Sequence, residues 1–151
     1  MQRLTIYIGI ISLFTVLSSC SKKTKLANTP KISFQIMDPS KMSEGSDSTL
    51  HIYLNLEDGD GDIGFGTNNL FMKDSRDTIY IPFMIPEVPD DYNPADGVKG
   101  VLQIDYDGQF LLKRTDSLHL ETDTLFWSIY MKDAAGNVSN VVETSKLVLT
   151  N

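Results

Sequence analysis

Residues 49–56 read Thr49-Leu50-His51-Ile52-Tyr53-Leu54-Asn55-Leu56. Leucine or isoleucine takes every second position, and His51, Tyr53 and Asn55 fill the places between. Successive side chains of a β-strand point to opposite faces, so this period of two fits a strand buried on one side. The same period recurs outward from it. Lys31–Met37 sets Ile32, Phe34 and Ile36 on one face, and Asp77–Ile85 carries Ile79, Ile81, Phe83 and Ile85 in one register. Val101–Tyr106 and Gln109–Lys113 flank Asp107-Gly108, a pair suited to a tight hairpin. Thr124–Lys132 aligns Leu125, Trp127, Ile129 and Met131, and Asn140–Thr150 closes the chain with β-branched residues. No stretch keeps a helical period for more than two turns. The expectation is an all-β fold: one antiparallel sandwich of about seven strands over residues 31–151.

The segment Phe126-Trp-Ser-Ile-Tyr-Met-Lys-Asp-Ala-Ala-Gly-Asn137 resembles the final hairpin of bacterial immunoglobulin-like domains, where an aromatic-rich strand precedes D-x-x-G-N. The resemblance implies an immunoglobulin-like sandwich without an inter-sheet disulfide, and Trp127 then reads as core. Pro82–Asp96 holds four of the six prolines and does not suit a central strand. It reads as an irregular crossing between sheets, or as an exposed loop presenting Tyr92 and Met84.

Chemistry concentrates in Glu57-Asp58-Gly59-Asp60-Gly61-Asp62-Ile63-Gly64. Aspartates at alternate positions, spaced by glycines, let a curled backbone aim several carboxylates inward. Ca²⁺ takes six to eight oxygens, from carboxylates and carbonyls together. The loop opens like an EF-hand, but Ile63 stands at the turn glycine and Asn69 where a bidentate glutamate belongs. It is more similar to the DGDGDIG loop of small immunoglobulin-like lipoproteins of Gram-negative bacteria. If Thr49–Leu56 and the last hairpin end at the same pole, Asp58, Asp60 and Asp62 converge with Asp133, joined by Asn137. The expected ligand is a structural Ca²⁺ stapling two loops. The other reading is a solvated Asp-Gly turn without an ion.

The N-terminus places the chain. Arg3 precedes an apolar run, Leu4–Leu17, that ends in Leu17-Ser18-Ser19-Cys20. A charged start, a short apolar run and small residues make a secretory signal, and the run is too short to span a bilayer as a helix. Leu-Ser-Ser-Cys resembles the lipobox of bacterial lipoproteins. The resemblance implies cleavage of residues 1–19, lipid on Cys20, and, because Ser21 is not Asp, attachment to the outer membrane. Residues 20–30 then form a flexible tether, with the acidic loop expected at the pole turned away from it.

Cys20 is the single cysteine, so lipidation leaves no thiol for disulfides, metal or catalysis. Every acidic residue lies beyond Cys20, and a formal charge of −7 disfavours nucleic acid as a partner. His51 and His119 fall on polar faces, and no G-x-S-x-G, H-E-x-x-H or phosphate loop occurs. The expectation is a non-enzymatic, lipid-anchored envelope module with a binding or structural accessory role. Its partner would be another envelope protein, or a glycan met by Tyr92, Tyr53 or Tyr106. The alternatives are a regulator that binds another envelope protein and a metal-dependent envelope hydrolase.

Overall fold

A computed structural model of the chain describes residues 25–64, 66–86, 97–114 and 121–151. Residues 1–24, with the expected signal segment and Cys20, lie outside the described residues, as do Tyr92, most of the proline-rich stretch and His119.

The described residues form an all-β, sandwich-like fold of ten strands. These are β1 (Lys31–Asp38), β2 (Lys41–Ser43), β3 (Thr49–Asp58), β4 (Asn68–Asp74), β5 (Ile81–Met84), β6 (Val98–Asp107), β7 (Thr122–Leu125), β8 (Trp127–Met131), β9 (Val142–Glu143) and β10 (Leu147–Thr150). They pair as three sheets: β1-β3-β6, β2-β10-β7 and β5-β4-β8-β9. The second and third sheets meet where the chain passes from β7 to β8 through Phe126. Leu125 pairs with Leu147 of β10, whereas Trp127 pairs with Asp74 of β4.

Between these layers lies one core. Ile32, Leu50, Ile52 and Leu54 face Leu70, Met72, Leu125, Trp127, Ile129, Met131, Leu147 and Leu149 in a single buried cluster. Burying each such side chain contributes roughly 1.5–3 kcal/mol, which is what holds a domain of this size. Leu50, Ile52, Leu54 and Leu56 of β3 are all buried, so the alternation read from that strand sets its inner face. Trp127 is core as expected, at 3% exposure.

Several expectations are corrected. Gln109–Lys113 is not a strand, and Asp107-Gly108 is not a hairpin tip. Asp107 instead caps a 3₁₀ turn, Gly108–Phe110, by accepting from the Gln109 N–H at 2.9 Å. Gly108 is buried because the backbones of Ser46 and Ser48 press on it. Of Asp77–Ile85 only Ile81–Met84 is strand, at a sheet edge, and Ile79 and Ile81 are exposed. The central strand β4 lies where no strand was expected. Nor is the pairing wholly antiparallel, since β10 runs parallel to β2. The segment Thr124–Lys132, read as one strand, divides between two sheets.

Candidate metal centre

β3 ends at Asp58, beside Val98, its partner at the start of β6. The chain then curls through Gly59–Gly64, where Gly61 and Gly64 have positive φ, a region open to glycine at no steric cost. β8 ends at Met131, and a turn over Asp133–Asn137 follows, with Gly136 also at positive φ. The two turns meet. The Ala134 N–H donates to the Asp62 carbonyl at 3.1 Å, and the Ala135 N–H donates to Asp62 Oδ2 at 2.9 Å.

This junction gathers Asp58, Asp60, Asp62 and Asp133, which each offer one carboxylate oxygen, the four lying within 4.8 Å of one another. Two ligands across a Ca²⁺ ion stand about 4.6–5.2 Å apart, twice the metal–oxygen distance. The spacing therefore suits a hard cation with several carboxylates around it. Asp58 and Asp133 are buried, at 0% and 2% exposure, while Asp60 is open to solvent.

The four carboxylates differ in what satisfies them. Asp133 is braced: Oδ1 accepts from the Asn137 N–H and Oδ2 from the Asn137 side-chain amide, each at 2.7 Å. Asn137, expected among the ligands, thus turns its nitrogen to Asp133 and positions that carboxylate. Asp62 uses Oδ2 for Ala135 and leaves Oδ1 buried without a partner. Asp58 has neither oxygen partnered. Unpaired buried charge is costly, and two unit charges 4 Å apart repel by about 4 kcal/mol where the effective dielectric is near 20. Burial, with repulsion from Asp60 and Asp62, pushes the Asp58 carboxyl up to about 7. The Gly61 N–H opposes this but falls short of hydrogen-bond geometry. Burial, then the Asp133 charge, also raises Asp62. A divalent cation among these oxygens would reverse both penalties.

Reasoning from sequence did not find two further participants. The Gly59 N–H donates to the Ala27 carbonyl at 2.7 Å, so the segment leading into β1 lies on the acidic loop. Gly97, at φ +92°, allows the Asp58 backbone to pass where a Cβ would overlap it. The Asp96-Gly97 pair ahead of a strand was the available signal for that turn. The expectation that the acidic loop faces away from the tether is therefore corrected: residues 25–30 enter the domain at the acidic pole.

The remaining candidates lie elsewhere. Asn69, which stands where an EF-hand has its glutamate, is buried at the start of β4 and accepts from the Ile85 N–H at 2.7 Å. His51 pairs with Asp105 at 2.7 Å on the outer face of β3 and β6. Tyr53 lies beside it, half-buried, with ring centroids 6.4 Å apart. At the opposite pole, Tyr106 packs 5.7 Å from Trp127 and lines a cleft of about 240 Å³. There Arg76 holds Asp74 and Asp123, and Arg114 holds Asp77. Burial, then Asp74, raises the Tyr106 hydroxyl above its ordinary range. Roughly 30 Å of β3 separates this cleft from the acidic cluster. No family model, curated protein or solved structure matches this chain.

Proposed function

We propose that the chain is a lipid-anchored accessory module of the bacterial cell envelope: an immunoglobulin-like domain, attached through Cys20 to the outer membrane and stabilised by Ca²⁺. It works by binding or by structural support, without catalysis. The observation that carries the cation is Asp58, whose two buried oxygens have no donor and point into a group of four carboxylates. The near-complete burial of Asp58 and Asp133 supports an ion held for stability over one exposed for turnover.

The strand order supports the immunoglobulin-like reading. The first strand passes from one layer to the other between Asp38 and Lys41, so that β1 pairs with β3 while β2 pairs with the last strand. One layer runs β1-β3-β6, and β10, β7–β8 and β4 follow one another in the other. Those orders correspond to strands A-B-E and G-F-C of such domains. The lipid anchor and outer-membrane address rest on Leu17-Ser18-Ser19-Cys20 and Ser21.

Thermal melting tests the cation. The melting temperature is expected to rise saturably when Ca²⁺ replaces EDTA, because the folded state gains RT ln(1 + [L]/Kd), about 2.7 kcal/mol at a hundredfold excess over Kd. Asp60→Asn with Asp62→Asn is expected to abolish the rise. A rise that survives the double substitution places the ion elsewhere, and no rise in the native chain removes the cation from the reading.

A further inference from the structure

The loop that carries the four carboxylates also carries the seat of the N-terminal segment. Asp58 and Gly59 are adjacent, and the Gly59 N–H donates to the Ala27 carbonyl at 2.7 Å. A Cβ on Gly59 would overlap the Leu26 carbonyl oxygen and stand 2.7 Å from the Ala27 carbonyl carbon, so the two backbones touch. On the other side, a Cβ on Gly97 would overlap the Asp58 carbonyl oxygen and stand 2.8 Å from Gly59 Cα. The Asp58–Gly59 peptide is thus gripped between residues 26–27 and Gly97, and it moves only if one of them moves.

Residues 25–29 have little else to hold them. Lys25, Ala27, Asn28 and Thr29 are exposed, and Leu26 is half-buried. Among the described residues, their backbone is tied to the domain by the Gly59 hydrogen bond. Docking of this segment depends on where Gly59 sits, and Gly59 sits where Asp58 is held.

We propose that the acidic cluster is a cation-operated clamp on the N-terminal segment: an ion shared by Asp58, Asp60, Asp62 and Asp133 fixes the Asp58–Gly59 peptide, which locks Leu26–Thr29 against the domain ahead of the buried Pro30. Without the ion, repulsion among carboxylates within 4.8 Å of one another loosens the loop and frees the segment. The inference rests on the reading of the cluster as a cation site. Its consequence is mechanical. Loading holds residues 26–29 on the domain, and unloading releases them.

The test uses the full chain in detergent, with EDTA or saturating CaCl₂, and limited digestion by trypsin. Cleavage after Lys25 needs only the following residues to leave the domain, so Ca²⁺ is expected to slow it at least tenfold. Cleavage after Lys146, which precedes the buried Leu147 of β10, needs the domain to unfold and reports general stabilisation, and in EDTA it is expected to be the slower of the two. Hydrogen exchange at the Gly59 amide is expected to slow by a similar factor. Leu26→Gly, which alters the docked segment and leaves the acidic loop unchanged, is expected to keep the Ca²⁺-dependent rise in melting temperature and weaken the protection at Lys25. A melting rise with no change at Lys25 or Gly59 overturns the clamp and leaves the cation site standing. Equal slowing at Lys25 and Lys146 also overturns it, because general stabilisation explains that result. If Ca²⁺ changes neither melting nor cleavage, site and clamp fall together.

Discussion

At Asp58 the ionised form is the costly one, because no donor meets either buried oxygen and the Asp60 and Asp62 carboxylates repel it. The sign of its effect on stability follows. Its carboxyl titrates near 3.9 in an unfolded chain and at about 7 in the folded one. Between those values the native state holds the proton more tightly, so its stability falls as pH rises through the window. Without metal, the melting temperature is expected to fall between about pH 4 and pH 7. Asp58→Asn keeps the shape and removes the charge. It is expected to flatten that fall, raise the metal-free melting temperature at pH 7.5 and abolish the response to Ca²⁺. Calorimetric melts across pH, in EDTA and in Ca²⁺, check all three, and a wild-type melting temperature that climbs over the same range would falsify the account. Much of this residue-scale chemistry is legible in the chain, since alternating Asp and Gly declare both the charge and the curl. Which Asp would be buried without donors is not, because the fold decides it, bringing Gly97 against the Asp58 backbone and Ala27 against Gly59.

Elements were legible where a period of two coincided with burial, and misread where it did not. In β3 the two coincide along the whole strand. In Asp77–Ile85 the period is equally regular, but Ile79 and Ile81 point to solvent at an edge, and alternation alone does not say which face is covered. Strand β4 escaped notice because its inward apolar positions are only Leu70 and Met72, beside a buried Asn69. Leu125, Trp127, Ile129 and Met131 are all buried in one register, yet their backbone changes partners at Phe126. Side-chain period reports the face of a strand and is silent about its neighbour. Gly108 shows the same limit from the side of the turn. Asp-Gly signalled a hairpin through backbone freedom, whereas the fold needs this glycine for lack of a Cβ. A methyl there would stand 2.5 Å from the Ser48 carbonyl oxygen and 2.7 Å from that of Ser46. Both are backbone atoms, and the Gly108 N–H also donates to the Ser48 carbonyl at 3.0 Å. Gly108→Ala is therefore expected to lose about 1–3 kcal/mol through overpacking. A urea midpoint that does not move would return Gly108 to an ordinary surface turn.

At the scale of the whole molecule, the two layers are fastened by connections between distant parts of the sequence. β1 lies at the edge of its sheet, with β3 on one side. On its other side the Asn140 side chain takes the place of a strand. Its Oδ1 accepts from the Ile32 N–H at 3.0 Å, and its Nδ2 donates to the Ile32 carbonyl at 2.9 Å. Asn140 follows Ser139, whose hydroxyl accepts from the Met131 N–H at 3.0 Å, so β1 is linked to the end of β8 in the opposite layer. The clasp stands just beyond the turn that supplies Asp133, and β1 begins just after the segment resting on Gly59. Asn140 and the acidic cluster thus lie at the same end of the molecule, Asn140 fastening it by hydrogen bonds and the cluster, under the proposal above, by a shared cation. Replacing Asn140 with Ala leaves both Ile32 groups without a protein partner on that side and is expected to cost about 1–2 kcal/mol. Urea unfolding is expected to show a lower midpoint with an unchanged slope, since the surface exposed on unfolding stays the same. If the clasp and the cation act on one joint, their effects are not additive, because coupled sites depart from independence. Ca²⁺ should then recover part of the stability lost in Asn140→Ala, and a gain from Ca²⁺ identical in both proteins would show that the two fastenings work independently.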